Sequence, residues 1–257
     1  MSIRIDYDSI ADVYDESRRD HPPDSRLEAF VGEGATTALR VLDVGCGTGK
    51  QLAANRARFG GITLVGVDRS AGMLRIAQTR DASVAWIRGD AQALPLSSSA
   101  FDYVTNQFSY PHIADKTRFV NEVFRVLRPG GRFVLTNIDP WAMDGWILYR
   151  YFPDGRVLDE RDFLPRASLV RLLADAGFIG VTSTATDLSR DEDLAAYLPY
   201  VSQRHTASQL LAISDAAYEA GLRRVRDELA STAGHAIVWS QFVIITVVAD
   251  KPGPHPV

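Results

Sequence analysis

The sequence predicts an α/β fold in which a mostly parallel sheet carries helices on both faces. Three observations predict it. Short β-branched runs alternate with helical patterns through the first half of the chain. Those runs are almost continuously apolar, as befits strands buried on both faces, rather than alternating apolar and polar. One of them, at residues 40–44, runs straight into a glycine cluster and then a helical pattern.

Strands are expected at residues 40–44, 63–67, 84–88, 101–105 and 132–138, with helices at 49–59, 70–80 and 116–127 between them. The third helix has Asp115 as its N-cap and gathers Phe119, Val120, Val123, Phe124 and Leu127 on one face. Pro129-Gly130-Gly131 then turns the chain into the fifth strand. In the second half, a helix over 166–176 has Leu169, Leu172 and Leu173 as its stripe and Gly177 as its C-terminal stop. A strand follows at 178–184, and 237–249 reads as one long final strand. Between these two lies a polar, mostly helical stretch in which Tyr218, Leu222, Val225 and Leu229 recur at helical spacing. No Gly/Pro/Ser-rich linker fences it off, so it reads as a cap over the sheet. The organisation is therefore one domain over 1–257. Its core is 36–186 plus 235–250, with an N-terminal lid at 1–35 and a helical cap insertion at 187–234. The three-proline tail at 251–257 is expected to be loose.

Composition narrows the function. Apolar residues at 46% and charged residues at 23% exclude a disordered chain. The longest apolar stretch, 236–249, falls short of the ~20 residues of a membrane helix. The sequence MSIRIDYDSI has no apolar signal region, and the single cysteine, Cys46, allows no internal disulfide, so a cytoplasmic home is expected. Twenty-eight basic residues against thirty-two acidic ones leave no basic field to draw the chain to nucleic acid or to a membrane. The five histidines show no metal-ligand spacing, and one cysteine cannot complete a structural zinc site; no metal is expected.

The run VLDVGCGTGK carries the functional reading. Its glycines, Gly45, Gly47 and Gly49, let the chain turn sharply and bring backbone close to a ligand at a helix N-terminus. The dinucleotide fingerprint would need glycine at position 50, where Lys50 stands. Nineteen residues after Gly49, Asp68 closes the second strand, where a carboxylate can accept both ribose hydroxyls. Twenty-two residues further, Asp90 closes the third strand, where it can accept from an adenine amino group. The charged runs 159–162 and 190–193 mix signs and read as solvated. The cluster of Tyr149, Tyr151 and Phe152 either lines a substrate pocket or packs the cap.

This pattern resembles the class I S-adenosylmethionine-dependent methyltransferases, specifically the small-molecule enzymes similar to those of quinone biosynthesis. Also part of the resemblance, which spans about 7–138, are YDSIADVYDESRR, FDYVTNQFSYPHI and RVLRPGGRFVLTNI. It implies a Rossmann-like sheet of seven strands with the last one antiparallel. It implies S-adenosyl-L-methionine as cofactor, S-adenosyl-L-homocysteine as product, and a cofactor-binding set. In that set Gly45, Cys46 and Gly47 meet the methionine part and Asp68 the ribose, with Asp43 and Arg69 beside them. Met73 lies against adenine, with Asp90 and Ala91 at its polar edge. Gln107 sits under the methionine moiety, while Tyr14 and Arg18 close over the cofactor and meet its carboxylate.

The expected reaction is methyl transfer to an oxygen or nitrogen of a small molecule. Its one catalytic candidate is His112, which leaves the fourth strand in FSYPHI and would act as a base with an ordinary imidazole pKa near 6.5. The bland alternative is a structural histidine near the helix that starts after Asp115. Four rivals stand beside this reading. A nucleic-acid amino-methyltransferase would carry an Asn/Asp-Pro-Pro-Tyr/Phe run where this chain has NQFSY. A nicotinamide oxidoreductase is disfavoured by Lys50. The others are a carboxyl methyltransferase acting on an acyl carrier protein and a cofactor-binding module without turnover.

Overall fold

The computed structural model describes residues 5–16, 18, 20–33 and 38–253. Those parts of the lid, the core and the tail that fall on other positions lie outside the described residues. The chain begins with α1 (Ser25–Gly32), capped by Asp24, whose Oδ1 accepts from the Arg26 amide at 2.9 Å. It then alternates through β1 (Arg40–Val44), α2 (Lys50–Arg58), β2 (Thr63–Asp68), α3 (Ala71–Arg80), β3 (Ala85–Arg88), β4 (Phe101–Gln107), α4 (Lys116–Val126) and β5 (Leu127–Ile138). Ser70 caps α3 by accepting from the Met73 amide, and Asp115 caps α4 by accepting from the Arg118 amide.

Seven strands form one sheet in the order β3-β2-β1-β4-β5-β9-β6, where β6 spans Ile179–Asp187 and β9 spans Val243–Asp250. The first four pairings are parallel; β9 runs antiparallel to both β5 and β6. The near-continuous apolar runs have their expected cause. Leu42, Val44, Val65, Val67, Val104, Phe133 and Leu135 join the core on one face. Their sequence neighbours Val41, Leu64, Tyr103 and Val134 join a second core on the other, with Leu27 of α1 and Leu52 of α2. β1 sits between β2 and β4, so the chain crosses the sheet in opposite senses on its two sides. At such a switch the carboxyl ends of the strands open a crevice.

Three expectations are corrected by the fold. The final strand is two: β8 (Ile237–Ser240) and β9 lie in different sheets, because the backbone leaves extended pairing at Gln241, whose amide donates to the Gly145 carbonyl at 3.1 Å. β8 pairs instead with β7 (Arg190–Asp193) in a two-stranded ribbon, which opens a stretch, 187–234, that is otherwise mostly helical. Its helices are α8 (Leu194–Val201), α9 (Ser208–Ala212) and α10 (Asp215–Ser231). The Pro129-Gly130-Gly131 turn lies inside β5, as an irregularity in its pairing with β4 between Phe101 and Tyr103, rather than before it. Finally, Lys251 is pinned, its ammonium donating to the carbonyls of Phe124 and Leu127 at 2.7 and 2.8 Å.

The segment between β5 and β6 folds into α5 (Ile147–Tyr151), α6 (Pro153–Asp162) and α7 (Arg166–Asp175). α7 ends where Gly177 adopts φ +98°, and the Phe178 amide returns to the Leu173 carbonyl at 3.2 Å. Tyr149, Tyr151 and Phe152 are buried in the main core and none lines the crevice, although the Tyr149 hydroxyl reaches Asp159 on its wall. α6 lies against α9, and with it forms one wall of the crevice.

Candidate active site

A cavity of about 950 Å³ opens at the carboxyl ends of β1 to β4, near the upper end of the ordinary range for small-molecule sites. Its floor is built by the glycine loop. Gly45 (φ +76°), Gly47 (φ +52°) and Gly49 (φ +77°) are all left-handed, so the loop coils tightly, with the Gly45 and Cys46 amides donating back to the Val67 carbonyl at 2.7 and 3.1 Å. Gly45 is also fixed by contact. A Cβ there would fall 2.1 Å from Ser109 Oγ. Ser109 is held in turn by Asn106, which donates to it at 2.5 Å and to the Val44 carbonyl at 2.8 Å. At Gly47, by contrast, a Cβ would meet nothing within 4 Å. That open space is where a ligand can approach the backbone.

Asp68 ends β2 beside this loop. Its Oδ2 accepts from the Gly47 amide and its Oδ1 from the Ser70 amide, both at 2.9 Å. Burial raises its carboxyl pKa, while the two amides pull it back down. Asp90 turns the chain after β3, accepting from the Gln92 amide at 2.8 Å. Met73 from the first turn of α3, with Arg69, Ala91 and Gln107, completes the lining on this side.

The N-terminal segment closes the mouth. Asp8 accepts from Ser70 Oγ and the Gly72 amide, both at 2.6 Å, which fastens the segment to the start of α3. Thr48 donates to Asp15 at 2.9 Å, and Asp15 also pairs with Arg80. Tyr7 and Tyr14 thereby line the cavity, edge to face at 6.0 Å between ring centres.

Of the sequence-expected residues, the structure brings Tyr14, Gly45, Gly47, Asp68, Arg69, Met73, Asp90, Ala91, Gln107 and His112 to the cavity wall. Three stand off it. Asp43 is 3% exposed beneath the loop, and burial together with Asp68 pushes its carboxyl up to about 8. Cys46 is buried, its sulfur directed at the space over Gly66, and desolvation raises its thiol well above the ordinary value. Its thiol packs beneath the loop, away from the cavity where the resemblance would place it. Arg18 stacks over the Tyr14 ring at 3.6 Å and donates to the His205 carbonyl at 3.2 and 3.3 Å, so it latches the lid to the cap.

His112 sits in a short turn after β4, with the Tyr7 hydroxyl 2.8 Å from its Nε2. Burial, with Arg69 and Lys116 nearby, lowers its pKa to about 4. The expected value near 6.5 does not hold. The imidazole is neutral at pH 7 and a weaker base than a free one.

Sequence reasoning missed the far wall. α6 supplies Leu158, Asp159 and Asp162, followed by Phe163 and Leu164; α9 and its flanks supply Gln209 and Ala212. Asp159, read as solvated, is 5% exposed. The one available signal was its i+4 spacing from Gly155, the other residue α6 buries, and the charged neighbours hid it. Among the described residues no group of three His, Cys, Asp or Glu side chains is placed to hold a metal ion.

Comparison with known proteins agrees with this geometry. A methyltransferase domain family matches residues 42–135. The demethylmenaquinone methyltransferase of Beutenbergia cavernae is 37% identical over 58% of this chain and 69% of its own length. That of Renibacterium salmoninarum is 36% identical over 40% of this chain. There the chain spans only 42% of the relative's length. Among solved structures, Haemonchus contortus phosphoethanolamine N-methyltransferase 2 in complex with S-adenosyl-L-methionine superposes with a TM-score of 0.60 at 22% identity. That match covers 95% of this chain and 57% of the other, and shows a shared fold. The Beutenbergia relative extends the likeness well beyond the glycine loop, and on that likeness this chain belongs to the class I S-adenosylmethionine-dependent methyltransferases of the quinone-biosynthesis type.

Proposed function

We propose that the chain transfers a methyl group from S-adenosylmethionine to an oxygen or nitrogen atom of a small, largely apolar molecule in the cytoplasm. The carrying observation is the hydrogen bond from the Gly47 amide to Asp68, which joins glycine loop and strand-end acid into one cradle on the cavity floor. The residues fit the cofactor: Gly47 leaves the space a side chain would fill, and Asp68 keeps lone pairs beyond its two amide bonds. Gly45 and Gly47 would hold its methionine end with Gln107, Asp68 and Arg69 its ribose, and Met73, Asp90 and Ala91 its adenine. When bound, it supplies a methyl group already activated on a sulfonium.

The protein's part is then alignment and exclusion of water. Holding two reactants in line is worth up to ~7–11 kcal/mol, more than one base contributes. His112 is the candidate proton acceptor at the methyl end. Its neutral ring can receive a proton, and its lowered basicity leaves alignment as the larger effect. Tyr7, Tyr14 and Arg18 form the lid. Support for a small-molecule acceptor comes from the named activity of the curated relatives and from a far wall that sets Leu158, Phe163, Leu164 and Ala212 beside Asp159 and Asp162 rather than a basic field. The same observation disfavours nucleic acid, while an acyl carrier protein as bearer of the acceptor, or a module that binds cofactor without turnover, would leave the cradle unchanged.

The test is calorimetry with S-adenosylhomocysteine. Wild type binds, and Asp68→Ala loses ~1.5–3 kcal/mol, roughly 10- to 150-fold, the worth of hydrogen bonds to a charged group. Unchanged affinity in the variant overturns the ribose assignment.

A further inference from the structure

Asp159 is a buried carboxyl group with one oxygen committed and the other not. Tyr149 Oη donates to its Oδ2 at 2.7 Å and Gln209 Nε2 donates to the same atom at 2.8 Å. Among the described residues no donor reaches Oδ1. The residue is 5% exposed and lines the cavity on the side away from Asp68 and Asp90, where Leu158, Phe163, Leu164 and Ala212 supply apolar walls. A buried carboxylate costs free energy unless its oxygens are hydrogen-bonded, and one oxygen facing a ligand site lacks that return within the chain. The three elements α5, α6 and α9 meet at this one side chain, which fixes its rotamer.

We infer that Oδ1 of Asp159 recognises the acceptor by accepting a hydrogen bond from its hydroxyl group, and so selects apolar molecules that carry a hydroxyl over the same molecules without one. The inference rests on the methyltransferase reading of the cavity and names the specificity residue of its far half. Tyr149 and Gln209 are positioning residues, since they touch Asp159 and fix which oxygen is presented. A hydroxyl fits better than an ammonium because the local charges cancel. Asp162 adds a second carboxylate, but Arg161 pairs with it at 2.7 Å and Lys116 lines the same wall. Burial lifts the Asp159 carboxyl to about 6, with Tyr149 and Gln209 pulling it down and Asp162 pushing it up, so at pH 7 it is chiefly an acceptor.

The experiment uses protein saturated with S-adenosylhomocysteine and measures binding of hydroxylated ring compounds, 1,4-dihydroxynaphthalene first, each beside its methyl ether, by calorimetry. Wild type prefers the hydroxyl compound by roughly tenfold or more. Asp159→Asn keeps the shape and lets its amide oxygen accept from Tyr149 and Gln209, leaving an N–H₂ donor toward the cavity. The preference therefore disappears or turns toward the ether, while affinity for S-adenosylhomocysteine stays that of wild type. A purely structural Asp159 would leave the preference where it was in both proteins, and that result overturns the inference. So does failure of every hydroxyl compound to bind protein that has bound S-adenosylhomocysteine. If S-adenosylhomocysteine itself does not bind, the underlying methyltransferase reading is what fails.

Discussion

The phenol oxygen of Tyr7 lies 2.8 Å from Nε2 of His112, and the two rings meet edge to face with centres 5.3 Å apart. A residue of the N-terminal segment thus seals the turn that follows β4, across 105 positions of sequence. The pair explains why the histidine is held neutral. Tyr7 covers it from solvent, while Arg69 and Lys116 add positive charge that a second cation would have to face.

That arrangement makes stability depend on pH in a defined direction. His112 is lowered from 6.5 to about 4 in the folded chain, so between those values the unfolded chain holds more protons. The contribution is complete above pH 6.5 and is lost as pH falls toward 4. Denaturant titrations at pH 7 and pH 4.5 should show wild type losing roughly 2 kcal/mol more than His112→Gln over that interval. Equal losses would mean that the imidazole stays charged when folded.

Asp43 gives the opposite slope. Its carboxyl is raised from 3.8 to about 8, and among the described residues its Oδ1 has no hydrogen-bond partner. The folded chain holds the extra proton between those values, so this group's contribution to stability falls as pH climbs from 4 to 8. Asp43→Asn supplies a permanently neutral group. It should match or exceed wild type in melting temperature at pH 8, and the gain should shrink by pH 5. A variant less stable at pH 8 than at pH 5, relative to wild type, would contradict this.

The two loop glycines should separate folding from binding. Gly45→Ala sets a methyl group 2.1 Å from Ser109 Oγ at a left-handed φ, and should cost at least ~2 kcal/mol in chemical denaturation, with partial recovery in Gly45→Ala/Ser109→Gly. Gly47→Ala meets no neighbour, so its cost is the left-handed penalty of ~1–2 kcal/mol alone. It should nevertheless weaken S-adenosylhomocysteine, because the methyl fills the space the ligand needs. Calorimetry and denaturation on the same two proteins decide it.

Arg18 should govern the lid. Arg18→Ala removes both hydrogen bonds to the His205 carbonyl and the stack on Tyr14. Amide exchange across residues 5–16 should quicken in the ligand-free variant, with global stability within ~1 kcal/mol of wild type. Saturation with S-adenosylhomocysteine should slow exchange there in wild type. Identical exchange in the two ligand-free proteins would remove the latch.

The half of the cavity proposed to hold the cofactor was legible in the sequence as a place because its geometry is local. Gly45, Gly47, Asp68 and Asp90 each sit at, or within three residues past, the end of a strand, and parallel register brings strand ends together without further information. Asp159 was not legible. Its partners Tyr149 and Gln209 lie 10 and 50 residues away, and its neighbours Glu160, Arg161 and Asp162 make the stretch look solvated. The break between β8 and β9 was hidden for a related reason. Ser240 and Gln241 are too few polar residues to interrupt an apolar run on paper, and only the tertiary bond from Gln241 to Gly145 shows where the chain turns away.

The order β5-β9-β6 has a consequence for how the sheet assembles. β6 touches the sheet only through β9, which follows it by more than fifty residues, with α8, α9 and α10 between. During synthesis β6 and α7 therefore emerge with no strand to pair with, and Ile179, Val181 and their neighbours must wait in an unpaired edge. Closing so long a loop is entropically slow, and an unpaired β-rich edge invites association with other chains. Insertion of β9 supplies two ladders at once, one to β5 and one to β6. Pairing with β9 therefore covers the facing edges of β5 and β6 in one step, leaving only the outer edge of β6 at the end of the sheet, and the interval before it is when the chain has most need of a chaperone.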